Sequence, residues 1–104
     1  MKLLTIAIKK KLPALYSQEE VEDPMVQVKF FNPTGSFTWF ATEGEEKDGD
    51  WLFFGKVYSS LCPEGELGYF RLSELQNIKG RFGLGIERDM WFKPKLLSQC
   101  NQNS

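Results

Sequence analysis

Histidine is absent from the chain of 104 residues, and this removes much familiar chemistry. No Ser-His-Asp or Cys-His arrangement can be assembled without it. Cysteine is scarce as well: Cys62 and Cys100 are the two present, and no CxxC spacing occurs. A structural zinc site drawn from one chain is therefore excluded in its usual forms, and no metal or other cofactor is expected. A disulfide between the two cysteines is allowed but is not required at this length, because a domain of this size buries about two-thirds of its unfolded surface. Two cysteines without an evident leader suit a reducing compartment, so a cytoplasmic protein is expected.

Charge of one sign is lacking too. Residues 1–50 carry six lysines against nine acids, and residues 51–104 carry seven basic residues against five acids, for a net charge of -1. Neither half is basic enough to imply nucleic acid through charge alone. Long apolar runs are missing. The Leu3–Ile8 stretch is interrupted by Thr5 and followed by Lys9, Lys10 and Lys11. It is too short for a membrane span and has the wrong order for a secretory signal. No phosphate-binding loop or dinucleotide fingerprint occurs. Gly80-Arg81-Phe82-Gly83-Leu84-Gly85 has three glycines at the wrong spacing. It reads as a helix C-cap entering a tight turn, with a phosphate contact through Lys79 and Arg81 as the alternative.

What the chain has in quantity is aromatic residues, at 14% of the total within a globular composition. Periodicity places them mainly on strands. Thr5 is positioned to cap a short helix that Pro13 ends, with Ile8, Leu12 and Leu15 on one face. Residues 17–24 form a polar, acidic loop. Met25–Phe31 alternates, with Val26, Val28 and Phe30 on one face and Gln27, Lys29 and Phe31 on the other. Asn32–Ser36 is a turn, and Phe37–Glu43 alternates again to complete a hairpin. Gly44–Asp50 reads as a charged loop, and Trp51–Tyr58 as the central strand. After a turn at Ser59–Gly65, Glu66–Leu72 is a fourth strand. Ser73–Lys79 is a short helix with a capping box and Gly80 as its C-cap. A last strand begins at Ile86 or Asp89 and stops at Pro94.

The expected fold is α+β: an antiparallel sheet of about five strands, an N-terminal helix, and a short helix before the last strand. A single domain spans 1–98, with a polar tail at 99–104.

Four blocks carry a family likeness. They are Leu3-Leu4-Thr5 with Lys10–Pro13 and Leu15-Tyr16; Lys29-Phe30-Phe31 with Thr38-Trp39 and Ala41-Thr42-Glu43; Phe53-Phe54-Gly55 with Glu66–Phe70 and Leu72–Leu75; and Gly83-Leu84 with Ile86–Asp89 and Phe92-Lys93-Pro94. In these the chain resembles a family of small bacterial proteins known as domain of unknown function 2958. The resemblance implies a free-standing domain carried on plasmids, phages and integrated elements, and implies no known reaction. The chain departs from the family at Phe40, where tyrosine is frequent, and at Arg81-Phe82, where a proline-containing turn is frequent.

Candidate site residues follow from this layout. Glu43, Glu66, Glu87 and Asp89 fall near strand ends beside aromatic blocks, with Arg88 between the last two. They suit salt bridges, caps or a binding role, and a close pair would permit acid–base chemistry. Glu45, Glu46, Asp48 and Asp50 lack the spacing of a calcium loop. The aromatics cannot all face one way, because strand side chains alternate. A set outside the core, with Trp39 and Tyr69 as candidates, would mark a protein interface. With Lys56 and Arg71 interleaved, it would alternatively stack on single-stranded bases. The expected function is a non-enzymatic binding module linked to mobile genetic elements, with an unidentified protein as its expected partner and counter-defence as the extension of that reading. Single-stranded nucleic-acid binding is the second reading, and a small carboxylate-dependent hydrolase the third.

Overall fold

In the computed structural model, which describes residues 1–102, Thr5 Oγ1 accepts a hydrogen bond from the Ile8 N–H at 3.3 Å. It thereby caps helix α1 (Ile6–Lys11). The helix stops before Pro13, as the sequence requires. Leu12 and Leu15, beyond its end, deliver the buried contacts of this segment.

Five antiparallel strands form the main sheet: β2 (Val28–Phe31), β3 (Thr38–Lys47), β4 (Asp50–Ser59), β5 (Cys62–Arg71) and β6 (Glu87–Arg88). Their spatial order is β5-β4-β3-β2-β6. A second, two-stranded sheet pairs β1 (Met25–Val26) with β7 (Lys95–Leu96). Helix α2 (Leu72–Asn77) follows β5. The architecture is α+β with an antiparallel sheet.

Several local expectations need correction. The alternating run at 25–31 is broken at Gln27, whose N–H bonds the Ala41 carbonyl at 2.9 Å. Val26 and Val28 consequently enter different hydrophobic clusters. The presumed charged loop at 44–50 is strand on both sides of a two-residue turn. Asp48 and Gly49 sit at φ 55° and 79°, the pairing that tight hairpins demand. The central strand is β3, buried continuously from Thr38 to Gly44, with β4 beside it. β5 begins at Cys62, four residues before its expected start. Ser73 does not cap α2. Arg71 occupies the N-cap position, and Glu74 Oε1 accepts its N–H at 2.9 Å. The Ser73 hydroxyl instead donates to Asp50 Oδ2 at 2.5 Å. That bond, and after it the Trp51 N–H, holds the Asp50 carboxyl below its ordinary value. Gly80 keeps an extended φ of -88° and is no C-cap glycine. The last strand of the main sheet is only two residues long, and pairing resumes after Pro94, in β7.

Both sheet faces are occupied. On one, Phe30, Ala41, Phe53 and Phe70 pack under Leu3, Leu4, Leu12, Leu75 and Ile86. On the other, Phe40 and Tyr58 pack with Val26, Phe92, Leu97 and Cys100. The Tyr58 hydroxyl donates to the Cys100 carbonyl at 3.2 Å. Of the tail expected at 99–104, residues 103–104 lie outside the described residues. Neither cysteine is paired. Burial pushes the Cys100 thiol up, whereas Cys62 is only half-buried. Native protein is expected to alkylate rapidly at Cys62 and at Cys100 only on unfolding, as mass spectrometry of iodoacetamide-treated samples will read.

Candidate functional site

The second face is incompletely covered toward β5. Cross-strand partners share a face, so the registers Phe54–Tyr69 and Lys56–Leu67 place these four side chains together. The segment after α1 curls over them, leaving a groove of about 430 Å³. Its lining includes Tyr16, Glu19, Val21 and Glu22 from the curled segment, Thr42 and Glu43 from β3, Phe54 from β4, Leu67 and Tyr69 from β5, and Leu97.

Glu43 builds the groove's inner wall. A register shift between Ala41 and Glu43 marks a bulge in β3, and such an extra residue re-aims a side chain. The Glu43 carboxylate, in a residue only 3% exposed, accepts the Tyr16 N–H at 2.9 Å and the Gln18 N–H at 2.8 Å. Glu45 accepts the Leu15 N–H at 2.8 Å. Together these bonds hold Tyr16 in the left-handed region at φ 69°, a conformation that costs a non-glycine residue about 1 kcal/mol. Asp23 ties the far end of the segment to the C-terminal turn, accepting the Ser98 N–H at 2.9 Å and hydroxyl at 2.6 Å.

Three rings meet here. Tyr69 lies 4.9 Å from Phe54 and 6.3 Å from Tyr16, tilted at 59° to each. Tyr16 and Tyr69 are each 51% exposed, and Leu67 is 61% exposed. Local desolvation, then the hydrogen bond to Tyr16 and the charges of Glu43 and Glu19, raise the Tyr69 hydroxyl above its ordinary value.

The other residues singled out in the sequence do not converge on this groove. Trp39 is buried on the opposite face and stacks on Phe37 at 5.5 Å. Glu66 is exposed on β5, whereas Glu87, Arg88 and Asp89 lie at the β6 edge. The two edges are four strand spacings apart, roughly 19 Å. Glu66 and Glu87 therefore form no acid–base pair. Arg88 Nη1 donates to the carbonyls of Lys2 at 2.6 Å and Leu3 at 3.2 Å. Asp89 pairs with Lys29 at 3.6 Å. Lys56 lies on the groove face, its ammonium 5.4 Å from the Tyr58 ring centre. Arg71 shares that face and reaches Asp50 at 3.9 Å. Lys79 bridges to Gly85, and the Arg81 N–H donates to Thr34 Oγ1 at 3.1 Å, so both sit away from the groove. A second exposed apolar feature is Trp91, 92% exposed, near the β6 edge.

Sequence reasoning missed Tyr16, Leu67, Glu19 and Glu22 as groove residues. The one signal available was the alternation Leu67, Tyr69, Arg71 along β5. Among the described residues, no three His, Cys, Asp or Glu side chains gather as a metal site. No helix among them is long and apolar enough to cross a membrane.

No curated protein and no solved structure matches the chain. Residues 3–100 match the family described as Protein of unknown function (DUF2958), and the chain belongs to that family.

Proposed function

We propose that the chain is a non-enzymatic protein-interaction module whose docking surface is the groove and the adjoining free edge of β5. One observation carries this reading. Among the described residues β5 pairs with β4 alone, and it presents Leu67 and Tyr69 half-exposed or more, beside a groove walled by further apolar side chains. A long edge strand bearing large apolar side chains is a template for an incoming strand. Exposed aromatics at the rim of a pocket are what binding hot spots are made from. A role for a mobile genetic element or its bacterial host, acting in the cytoplasm and interfering with host defence, extends this reading on the strength of the family resemblance.

Single-stranded nucleic acid is the weaker alternative. Tyr69, Lys56 and Arg71 share a face, but Trp39 is buried on the other side. The groove lining also holds three carboxylates and no basic side chain, which repels phosphate.

Site-specific photo-crosslinking separates the surfaces. With a photoreactive residue at position 67, a discrete protein adduct is expected from lysate of the producing cells. None is expected from position 91. An adduct from position 91 alone, or adducts indifferent to position, would overturn the assignment.

A further inference from the structure

The groove's lining specifies the chemistry of what enters it. The rings of Tyr16, Tyr69 and Phe54 are tilted against one another, so they present inclined walls and not one flat platform. Glu19 and Glu22 stand exposed at the rim, and Glu43 closes the inner wall. No lysine or arginine lines the cavity to answer them. Neither rim carboxylate forms an ion pair among the described residues. A cation gains from ring faces and from carboxylates, and an apolar cavity beside them strengthens both attractions.

The free edge of β5 specifies how that cation arrives. A strand added to this edge would project alternate side chains toward the groove face, at about 7 Å intervals. The two cations on the same sheet face have contacts of their own, Lys56 over Tyr58 and Arg71 with Asp50. We infer that the groove receives an arginine or lysine side chain carried by an extended basic segment of a partner protein lying along β5. The inference rests on the docking reading and adds the sign of the ligand's charge.

Fluorescence anisotropy tests it with defined probes: labelled peptides of about ten residues alternating arginine, threonine or glutamate with valine. The arginine peptide is expected to bind, the threonine peptide at least tenfold more weakly, and the glutamate peptide not at all. Tyr69→Leu should weaken binding about tenfold, while Tyr69→Phe keeps most of it, because the ring face and not the hydroxyl holds the cation. The double variant Glu19→Gln with Glu22→Gln should weaken binding and flatten its salt dependence between about 50 and 300 mM. The three positions changed are exposed, and circular dichroism checks that each variant keeps the fold. Equal binding of the three peptides, or indifference to both Tyr69→Leu and the glutamine pair, would overturn the cationic ligand. The docking reading survives that outcome if the position-67 adduct persists in the glutamine variant. Loss of any adduct from wild-type background removes the docking reading itself, and binding of a thymidine decamer in place of the arginine peptide removes both.

Discussion

Glu43→Ala is expected to lower the unfolding free energy by about 3 kcal/mol, read as a shifted urea midpoint with an unchanged slope. The buried carboxylate takes the N–H groups of Tyr16 and Gln18 at once. Charge-assisted bonds of this kind contribute about 1.5–3 kcal/mol each. Part of the loss is recovered, because the curled segment is exposed and water can reach the freed donors. The groove should go with the carboxylate. Tyr16 is held at its positive φ by a bond to Glu43, and without it the ring has no reason to stay beside Tyr69. Glu43→Gln keeps one acceptor oxygen and should lose about half as much. Glu45→Gln, at a half-buried position with a single bond to Leu15, should lose least. Equal stability of the wild type and Glu43→Ala would show that the segment is held by something other than these bonds.

Gly55→Ala is expected to be at least as damaging, about 3 kcal/mol or more, because the overlap is with backbone. Gly55 sits in β4 between Ala41 of β3 and Gly68 of β5. A Cβ there would land on the Phe40 carbonyl oxygen and come within 2.9 Å of the Ala41 Cα. Those atoms belong to the central strand just before its bulge, so they cannot retreat without opening the ladder. Gly68→Ala, directly across the pair on the edge strand, is the control. A Cβ at that position meets nothing within 4 Å, and the change should stay within about 0.5 kcal/mol. Parallel urea titrations of the two variants test the contrast. Similar losses in both would mean that glycine is needed here for flexibility and not for space.

Much of the local plan was legible. The Thr5 cap and the Pro13 stop follow from short-range hydrogen bonding and sterics, which neighbouring residues determine by themselves. Alternation put Val26, Val28 and Phe30 on one face; all three are buried, but Val26 enters the second cluster and not the one that Val28 and Phe30 share. The Asp48-Gly49 turn was also written in the sequence, but the surrounding carboxylates gave its neighbours the appearance of a loop. Those acids lie on a hairpin, where Glu45 is consumed by the Leu15 N–H.

The sequence by itself determined the α+β class, the antiparallel sheet and the absence of histidine, of CxxC spacing and of a phosphate-loop motif, because each depends on composition, period and nearest neighbours. Only the tertiary structure decided the rest. Gln27 divides one alternating run between two sheets, since pairing partners, and not the run's own pattern, choose where a strand ends. The β3 bulge settles which of the roles open to Glu43 in the sequence it takes, making it the acceptor that shapes the loop at 15–18. The groove draws on residues from Tyr16 to Leu97, brought together by long-range packing that leaves no periodic trace in the chain. The aromatic excess was visible from the start. Which rings remain open to solvent depended on how far the curled segment and the C-terminal turn reach across the second face.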